Sequence, residues 1–422
     1  MEGKWYLCID LKSFFASVEC VERGLNSMTA DLVVADPARG RGAICLAVSP
    51  ALKEKGVRNR CRLYEIPSRF SYITALPRMK LYMEYSARIY SIYLKYISAE
   101  DIHVYSIDEC FFDVTSYCKL YGKTAKEIAV MLTEAVYRET GICATAGIGT
   151  NLFLAKVALD ITAKHAPDRM GYLDEDEFKR TIWYHKPITD IWNVGRGIAK
   201  RLERFGIYDL WGVAHCDEGK LYREFGVNAE FLIDHAHGVE PCTIADIHAY
   251  RSKSNSISNG QILFEDYAFD DALLVLREMV DMMVLELVEK RLVTDSISLS
   301  VGYSKDSLKP AGGTMKLNAY TNSYQKLVAV FTEYFCRVVD RNRPIRRINV
   351  GMNHLMDESY ATYDLFTDVA GEKKEHDLQQ TVLDIKKRFG KNAILKGMNL
   401  EEKATAKIRN TLIGGHNGGE EQ

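Results

Sequence analysis

The residues best suited to chemistry in this chain are two adjacent acids, Asp108 and Glu109, at the tip of a predicted β-hairpin. Residues that favour extended structure lie on both sides of them, from Tyr105 to Asp113. Neighbouring residues of a strand point to opposite faces, so both acids can reach one target only if a turn lies between the strands. Like charges this close repel each other unless a cation lies between them. The pair therefore predicts a divalent-metal site or, as the plainer alternative, an exposed acidic turn.

A third acid strengthens the metal hypothesis. Asp10 ends a buried strand predicted over residues 6–9, and a helix follows at once. A carboxylate at the end of a core strand is costly to hold there without a partner. Together, Asp10, Asp108 and Glu109 predict a carboxylate site for Mg²⁺, which prefers oxygen ligands. Two such ions can activate an attacking oxygen and stabilise a leaving one, which is the chemistry of phosphoryl transfer.

Two motifs resemble those of a known family. Residues 8–19 read Cys-Ile-Asp-Leu-Lys-Ser-Phe-Phe-Ala-Ser-Val-Glu, and residues 105–109 read Tyr-Ser-Ile-Asp-Glu. In this order and spacing they resemble the paired signature of the Y-family DNA polymerases, the translesion enzymes, and most closely the bacterial UmuC-like branch. Looser matches extend over roughly residues 1–350.

The resemblance implies an activity and a metal site. The expected activity is template-directed transfer of deoxynucleotides to a primer 3′-hydroxyl, in translesion synthesis during DNA repair. The expected cofactors are two Mg²⁺ ions, held by Asp10, Asp108, Glu109 and the main-chain carbonyl of Leu11. The expected substrates are primer–template DNA and deoxynucleoside triphosphates.

Two adjacent aromatic residues open the helix after the first acid. By resemblance, Phe15 is the steric gate, where a rigid ring rejects a ribonucleotide by overlap with its 2′-hydroxyl. Phe14 belongs to the same nucleotide-binding segment, although simple core packing accounts for it equally well.

Two lysines are candidates for binding the triphosphate. By resemblance, Lys53 contacts the incoming nucleotide and Lys164 reaches its β- and γ-phosphates. Lys156 and Lys164 lie two helical turns apart, and two solvated surface lysines are the alternative interpretation. Ser49-Pro50 stands where many family members carry an Asn-Tyr or similar pair, so a tyrosine contact to the phosphates is not expected and binding depends more on Lys53.

Composition bounds the class of protein. The chain has 422 residues, of which 47% are hydrophobic and 27% charged, and its net charge of −2 requires nucleic-acid contacts to come from local patches. None of the ten cysteines forms a Cys-x-x-Cys pair, so structural zinc is not expected and reduced thiols in a cytosol are. No signal peptide or membrane span is predicted. We expect a bacterial cytoplasmic protein, associated with the nucleoid when it is on DNA.

The order of predicted elements is strand, helix, acidic hairpin, helix, strand, which is an α+β pattern. With the resemblance, it implies a right-hand polymerase whose ferredoxin-like palm has helices on one face and the acids at strand ends on the other. The implied subdomains are a palm (residues 1–13 and 81–174), small fingers (14–80), a helical thumb with a helix-hairpin-helix (175–240), a linker (241–254), an α+β little finger (255–355) and a C-terminal tail (356–422).

Candidate DNA contacts fall in the thumb and the little finger. Gly195 and Gly197 lie in a segment that resembles a helix-hairpin-helix, where small residues and a helix N-terminus grip phosphates, and Lys200 adds charge. A helical packing unit without DNA is the alternative. In the little finger, the predicted contacts are Lys253, Lys316 and the arginines Arg341, Arg343, Arg346 and Arg347.

The tail carries a short apolar segment in a polar stretch. Tyr363, Leu365 and Phe366 resemble a degenerate peptide for the β sliding clamp, with Thr362 where a glutamine usually leads. A tail strand packed on its own domain is the alternative. A small accessory protein or a recombinase is a further candidate partner.

Two other functions stay open at this stage. One is a non-catalytic DNA-binding accessory subunit that is recruited to lesions or to the clamp and has kept the fold, as the changed Ser49-Pro50 pair allows. The other is a nucleotidyl cyclase, since those enzymes share an α+β palm with paired acids. The helix-hairpin-helix and the basic C-terminal segment argue against a small-molecule enzyme.

Overall fold

The structure, a computed structural model, describes residues 3–252, 255–304, 308–362 and 367–419. The chain divides into two compact units, residues 1–250 and 251–422. Four residues with predicted binding roles lie outside the described ranges: Lys253, Tyr363, Leu365 and Phe366. Within those ranges, no helix is long and apolar enough to cross a bilayer.

The first unit alternates strands and helices. Its strands are β1 (Tyr6–Leu11), β2 (Leu32–Val34), β3 (Ala47–Val48), β4 (Ile73–Ala75), β5 (Ile102–Val104), β6 (Glu109–Asp113), β7 (Ala144–Gly149) and β8 (Met170–Leu173). Its helices are α1 (Phe14–Glu22), α2 (Pro50–Glu54), α3 (Met79–Tyr93), α4 (Thr115–Tyr121), α5 (Ala125–Thr140), α6 (Leu152–Val157), α7 (Glu175–Thr181), α8 (Arg196–Glu203), α9 (Leu210–Ala214), α10 (Glu218–Phe225), α11 (Asn228–His237) and α12 (Ile244–Ala249). A π-helical turn, Ala158–Thr162, continues α6.

Five strands form the main sheet of this unit, in the order β5-β6-β1-β7-β8. The central strand β1 pairs antiparallel with β6 and β7, whereas β7 and β8 are parallel. Alternation along β1 sends Leu7 and Ile9 to one face, where they join a core with Ile89 of α3 and Ile128 of α5. The predicted α+β class is confirmed.

The opposite face of this sheet is also covered. Tyr6, Cys8 and Phe111 point to that side and pack with Leu152 of α6 and Ile244 of α12. The prediction that helices lie on one face only is therefore wrong. The acids remain accessible because they lie at the end of the strands and not beneath these helices.

Glycines in β7 bring α6 unusually close to the sheet. A Cβ atom at Gly147 would lie 2.1 Å from the carbonyl oxygen of Ala155, and one at Gly149 would lie 2.3 Å from its nitrogen. Any larger residue would push α6 outward, so the glycines set the distance between this helix and β1.

A smaller sheet, in the order β3-β2-β4, follows α1. Strand β2 pairs antiparallel with β3 and parallel with β4. The sequence pattern favours a strand from residue 43 to residue 48, but only Ala47–Val48 pairs with β2, and Ile44 instead bridges to Arg62. Val33, Val48 and Leu52 lie in a separate small core with α2.

The helices after β8 form a third core around Phe178, Leu202 and Leu221. The first unit then ends with α12, inside the segment predicted to be a linker. Thr243 and Asp246 form a capping box at its start, and Ile244 and Ile247 pack on the main sheet. The boundary between the two units lies at residue 250, within the predicted linker of residues 241–254.

The second unit is an α+β structure of its own. Its strands are β9 (Ser256–Tyr267), β10 (Leu292–Tyr303), β11 (Ala311–Thr321), β12 (Ile345–Asn353), β13 (Met356–Asp357), β14 (Leu412–Ile413) and β15 (His416–Asn417). Its helices are α13 (Phe269–Glu289), α14 (Tyr324–Val338), α15 (Val369–Phe389) and α16 (Ala406–Arg409). The main sheet has the order β11-β10-β12-β9, and β13 pairs with β10. One face packs on α13 and α14 through Ile297, Leu299 and Val350.

The described part of the tail, residues 367–419, packs on this unit. Glu278 of α13, which is 2% exposed, accepts hydrogen bonds from Asn399 Nδ2 (2.9 Å) and from the backbone N–H groups of Thr405 (2.8 Å) and Ala406 (3.1 Å). On α15, Glu375 accepts from Ser323 Oγ at 2.7 Å. The predicted boundary at residue 356 therefore does not separate a compact unit from a free tail.

Candidate active site

Pairing of β1 with β6 brings the three acids to one end of the sheet. Asp10 lies directly opposite Glu109 across the two strands. The backbone N–H of Leu11 donates to the carbonyl oxygen of Asp108 at 2.9 Å. In the turn, Ser106 Oγ donates to Asp108 Oδ1 at 2.6 Å, which orients that carboxylate. Asp108 thus occupies the turn, whereas Glu109 is the first residue of β6.

The field at Asp10 is strongly negative. Burial raises the pKa of Asp10, and Asp108 and Glu109 raise it further, to about 7, while Lys164 and Lys156 oppose the shift. Oxygen donors that repel one another in this way are the ligands that a hard divalent cation prefers, and such a cation would relieve the repulsion. The donor set at this strand end therefore fits Mg²⁺.

Glu109 is engaged by a buried lysine. Lys156 of α6 is 7% exposed, and its Nζ lies 2.8 Å from Glu109 Oε1 and 2.9 Å from Oε2. Cys8 Sγ also donates to Glu109 Oε1 at 3.0 Å. Within the described ranges no three acidic, histidine or cysteine side chains stand ready as a metal centre. We infer that Glu109 must turn partly away from Lys156 to ligate a metal.

The alternative that Lys156 and Lys164 are both solvated surface lysines is wrong for Lys156. Its ammonium also lies 3.0 Å from Asp160 Oδ2, within the π-helical turn. Burial alone would lower the pKa of Lys156, but its negative neighbours, Glu109 and Asp160 among them, hold that pKa above its ordinary range. The signal in the sequence was the glycine pair in β7, since it draws α6 onto the sheet.

The two predicted triphosphate lysines lie near the acids. Lys164 Nζ is 3.0 Å from Asp160 Oδ1 and the side chain is half exposed. Burial lowers the pKa of Lys53, and the charges of Lys164 and Lys12 lower it further, against the opposing effect of Asp10. These side chains therefore share one electrostatic environment. Lys12 is an addition that the motif alone did not single out.

Phe15 and Phe14 occupy different environments. The Phe15 ring is partly buried and stacks on Tyr82, with centroids 4.6 Å apart and planes 19° apart. Phe14 is 2% exposed and belongs to the main core. The core-packing interpretation therefore holds for the Phe14 side chain, and a role of Phe14 in nucleotide binding stays a prediction.

The predicted helix-hairpin-helix begins with a short element. A 3₁₀ turn, Ile188–Asp190, replaces a full first helix, and α8 follows after Gly195. A Cβ atom at Gly195 or at Gly197 would meet nothing within 4 Å, so both positions face open space. Lys200 is exposed on α8.

In the second unit, Arg346 and Arg347 lie at an irregular point of β12. The pairing register shifts between Ile345 and Arg347, and Arg346 Nη1 lies 3.5 Å from Asp266 Oδ1. Arg347 is exposed opposite Gly302, on the face of the sheet away from α13 and α14. Of these two arginines, both of which the sequence suggested as contacts, Arg347 is the one on the open face of the sheet.

Comparisons with known proteins agree with this geometry. A model of the impB/mucB/samB family matches residues 9–160, and the model of that family's C-terminal domain matches residues 254–365. The chain is 31% identical over 420 residues to a Bacillus subtilis protein named DNA polymerase IV 2, covering 99% of each chain. It is also 31% identical over 418 residues to a protein of the same name from Halalkalibacterium halodurans, covering 97% of this chain and 98% of that one.

Among solved structures, a Y-family DNA polymerase chimera of Dbh and Dpo4 matches with a TM-score of 0.64 and 22% identity, over 84% of this chain and 99% of that one. This likeness bears on the fold, and the family models and sequence relatives bear on the family. The chain therefore belongs to the impB/mucB/samB family, the Y-family of translesion DNA polymerases.

Proposed function

We propose that this chain is a template-directed DNA polymerase that performs translesion synthesis, with its chemistry at the end of β1 and β6. The observation that carries the proposal is the convergence of Asp10, Asp108 and Glu109 there, in a chain whose relatives are named DNA polymerase IV. A Y-family polymerase depends on divalent metal. Two Mg²⁺ ions, held by these acids and the carbonyl of Leu11, are our finer proposal.

The chain's own groups prepare the site for transfer of a nucleotide to the primer. Divalent ions held by the acids would supply the charge that lowers the pKa of the primer 3′-hydroxyl and offsets charge on the departing pyrophosphate. Asp108 is oriented by Ser106, and Lys156 balances the charge of Glu109. The Ser106 contact preorganises Asp108, whereas Glu109 must turn partly away from Lys156 to ligate a metal.

Lys53 and Lys164 are proposed to bind the triphosphate of the incoming deoxynucleotide. Their support is the shared field with Asp10, which places positive charge beside the acids. Lys12 adds a third ammonium to this group. An ammonium needs no fixed geometry to hold a phosphate, so three lysines can replace the tyrosine contact that Ser49-Pro50 removes.

Phe15 is proposed as the steric gate against ribonucleotides. Its support is the stack on Tyr82, which limits the space behind the ring. Discrimination by overlap depends on a ring that cannot retreat, because no hydrogen bond distinguishes the two sugars.

DNA contacts are proposed at two places. Gly195, Gly197 and Lys200 would grip phosphates beside α8, and their exposure supports this role. Arg346, and Arg347 beside it, would hold duplex DNA along the sheet of the second unit. Lys253 stays a proposal from sequence alone.

We retain the assignment of regions to polymerase subdomains as part of the proposal, with two changes. Residues 1–13 and 81–174 would be the palm, 14–80 the fingers, and 255–355 the little finger. The thumb would run from 175 to 250 because α12 packs within the first unit, which leaves only residues 251–254 as a linker. The folded segment 367–419 would be part of the little-finger unit.

Partners and place of action follow from the same proposal. A β sliding clamp would bind Tyr363, Leu365 and Phe366, and the support for this is the sequence alone. A small accessory protein or a recombinase stays an expectation of the resemblance. Because the named relatives are bacterial, we propose action in the bacterial cytoplasm, at the nucleoid when the protein is on DNA.

Primer extension tests the proposal. Wild-type protein with Mg²⁺ and deoxynucleotides is expected to extend primers on undamaged and abasic templates, and Asp108→Ala is expected to lose extension while still binding primer–template. A wild-type protein that binds DNA and adds nothing, with or without the clamp, would favour the non-catalytic accessory subunit. The intact set of acids and lysines argues against that alternative.

A further inference from the structure

A buried polar cluster lies behind the ring of Phe15. Tyr82 of α3 is fully buried and stacks on Phe15 through its ring face. The hydroxyl at the far end of the same ring donates to Glu19 Oε1 at 2.7 Å. Tyr82 therefore has an aromatic contact with the proposed gate on one side and a fixed anchor on the other.

Glu19 is the centre of this cluster. It is fully buried, and Arg78 donates to it through Nε at 2.9 Å and Nη2 at 2.8 Å, with Arg23 as a further partner. Burial alone would raise the pKa of Glu19, but the hydrogen bonds from Arg78, Tyr82 and Arg23 hold it below its ordinary value. A buried carboxylate with all these donors is rigid, because moving it would break several charge-assisted bonds together.

The cluster ties two helices together at the gate. Phe15 and Glu19 are four residues apart on α1, so they lie on the same side of that helix. Arg78 and Tyr82 are also four residues apart, at the start of α3. Bonds between the two pairs fix how far α3 lies from the gate.

We propose that Glu19 is a positioning residue for sugar discrimination: it fixes Tyr82, and Tyr82 prevents the ring of Phe15 from retreating before a 2′-hydroxyl. This inference rests on the proposed role of Phe15 as the steric gate. A purely structural role for the cluster predicts something different. Weakening the cluster would then lower the stability of the protein and slow the incorporation of dCTP and CTP equally. The preference between the two sugars would not change.

The test compares incorporation of dCTP and CTP opposite a template dG, as the ratio of kcat/KM values for the two. The central variant is Tyr82→Phe, which keeps the ring and the stack and removes only the hydroxyl. The matched control is Tyr85→Phe on the same helix. The Tyr85 hydroxyl donates to Glu22 at 2.7 Å, and its ring is absent from the contacts of Phe15.

Tyr82→Phe is expected to lower the preference for dCTP about threefold to tenfold, less than the full loss of a hydrogen bond to a charged acceptor would give, because the ring and its stack on Phe15 remain. Glu19→Gln is expected to lower it more, since Arg78 also loses its partner, and Tyr85→Phe is expected to leave it unchanged. In a Phe15→Ala background, Tyr82→Phe should have no further effect on the ratio, because the ring it supports is gone.

The possible results distinguish the positioning role of Glu19 from the assignment of Phe15 as the steric gate, on which it rests. If Phe15→Ala keeps full preference for dCTP, then the gate assignment fails and the inference fails with it. If Phe15→Ala loses the preference while Tyr82→Phe keeps it, then the gate stands and the positioning role is overturned. Should Glu19→Gln not fold, Tyr82→Phe decides the question alone, since it removes no buried charge.

Discussion

The main sheets of the two units share one design and differ in what covers their second face. Both have antiparallel central strands with two helices packed on one side. In the acid-bearing sheet (β5-β6-β1-β7-β8), α6 and α12 cover part of the other side and bury Lys156 beside Glu109. In the open sheet (β11-β10-β12-β9), positions on the corresponding side of the outer strands and at Arg347 are exposed. They include Ser258, Gly260, Thr314, Lys316 and Arg347.

The difference suits two kinds of electrostatic binding. A carboxylate attracts a metal ion more strongly in a partly buried setting, because Coulomb interactions are less screened there. Contacts with a DNA backbone need a broad, accessible surface with small polar residues and a few cations. The predictions below test whether burial, and not charge alone, is what distinguishes the acid-bearing sheet.

The largest expected effect concerns the buried ion pair of the acid-bearing sheet. Lys156→Met leaves Glu109 and Asp160 without their shared partner, and we expect the free energy of unfolding to fall by about 3–5 kcal/mol. Chemical denaturation measures it. Lys164→Met is the matched control, because Lys164 pairs with the same Asp160 but is half exposed, and its loss should cost under about 1 kcal/mol. Equal losses of unfolding free energy in the two variants would show that burial does not strengthen the Lys156 ion pair.

A smaller effect is expected at the proposed triphosphate site. Lys53→Ala removes a charge-assisted bond to phosphate, so KM for deoxynucleotides is expected to rise about tenfold to a hundredfold. Steady-state incorporation kinetics measure it. Lys55→Ala on the turn after α2 is the control, since Lys55 is exposed and paired with Asp31. The same rise in both variants would mean that the helix is merely disturbed.

In the open sheet, removing a single cationic side chain should have a smaller effect, and the effect should be on DNA affinity. Arg347→Ala is expected to weaken primer–template binding several-fold, by about 1 kcal/mol, and to reduce the salt dependence of binding by about one phosphate contact. Arg346→Ala should do less, because Asp266 holds that side chain. Fluorescence anisotropy at several salt concentrations measures both. Arg277→Ala, on the helix-covered side near Thr332, should leave affinity unchanged.

The smallest expected effect is the pH dependence that Glu19 gives to the first unit. Its pKa is below the ordinary 4.5 in the folded protein, so the unfolded state binds the proton more readily. Its stabilisation is therefore complete above about pH 4.5 and declines as pH falls below that value. We expect the difference in unfolding free energy between wild type and Glu19→Gln to narrow in that acid range. A difference that widens there would reverse the assigned sign.

The sequence predicted the acids well because their signals are local. A polar residue that ends an apolar strand and a tight turn between extended residues can both be read from neighbours along the chain. The α+β order of the elements around the acids was predicted for the same reason. Strand β11 was missed, since Gly312 and Gly313 weaken its strand pattern and its pairing with β10 joins distant segments.

The rest of the site depends on packing that no local pattern contains. Lys156 looks like a surface lysine until Gly147 brings α6 onto β7. Both Lys156 and Lys164 contact Asp160, as their spacing predicts, but only Lys156 is buried. The Glu19 cluster likewise joins α1 to α3 across more than fifty residues of sequence. Helix α12 had a local signal, the capping box at Thr243, which the polar composition around it obscured.

The most direct test of the account compares two aspartates at opposite ends of one face of the same strand pair. Asp10 lies opposite Glu109 at the proposed catalytic end, and Asp113 lies opposite Tyr6 at the other. In single-turnover incorporation on bound primer–template, Asp10→Asn is predicted to lower the rate about 10²–10⁴-fold. Asp113→Asn, which keeps the acceptor for the Thr115 N–H, is predicted to retain the wild-type rate. A wild-type rate in Asp10→Asn, or an equal loss in both variants, would contradict the placement of catalysis at that end.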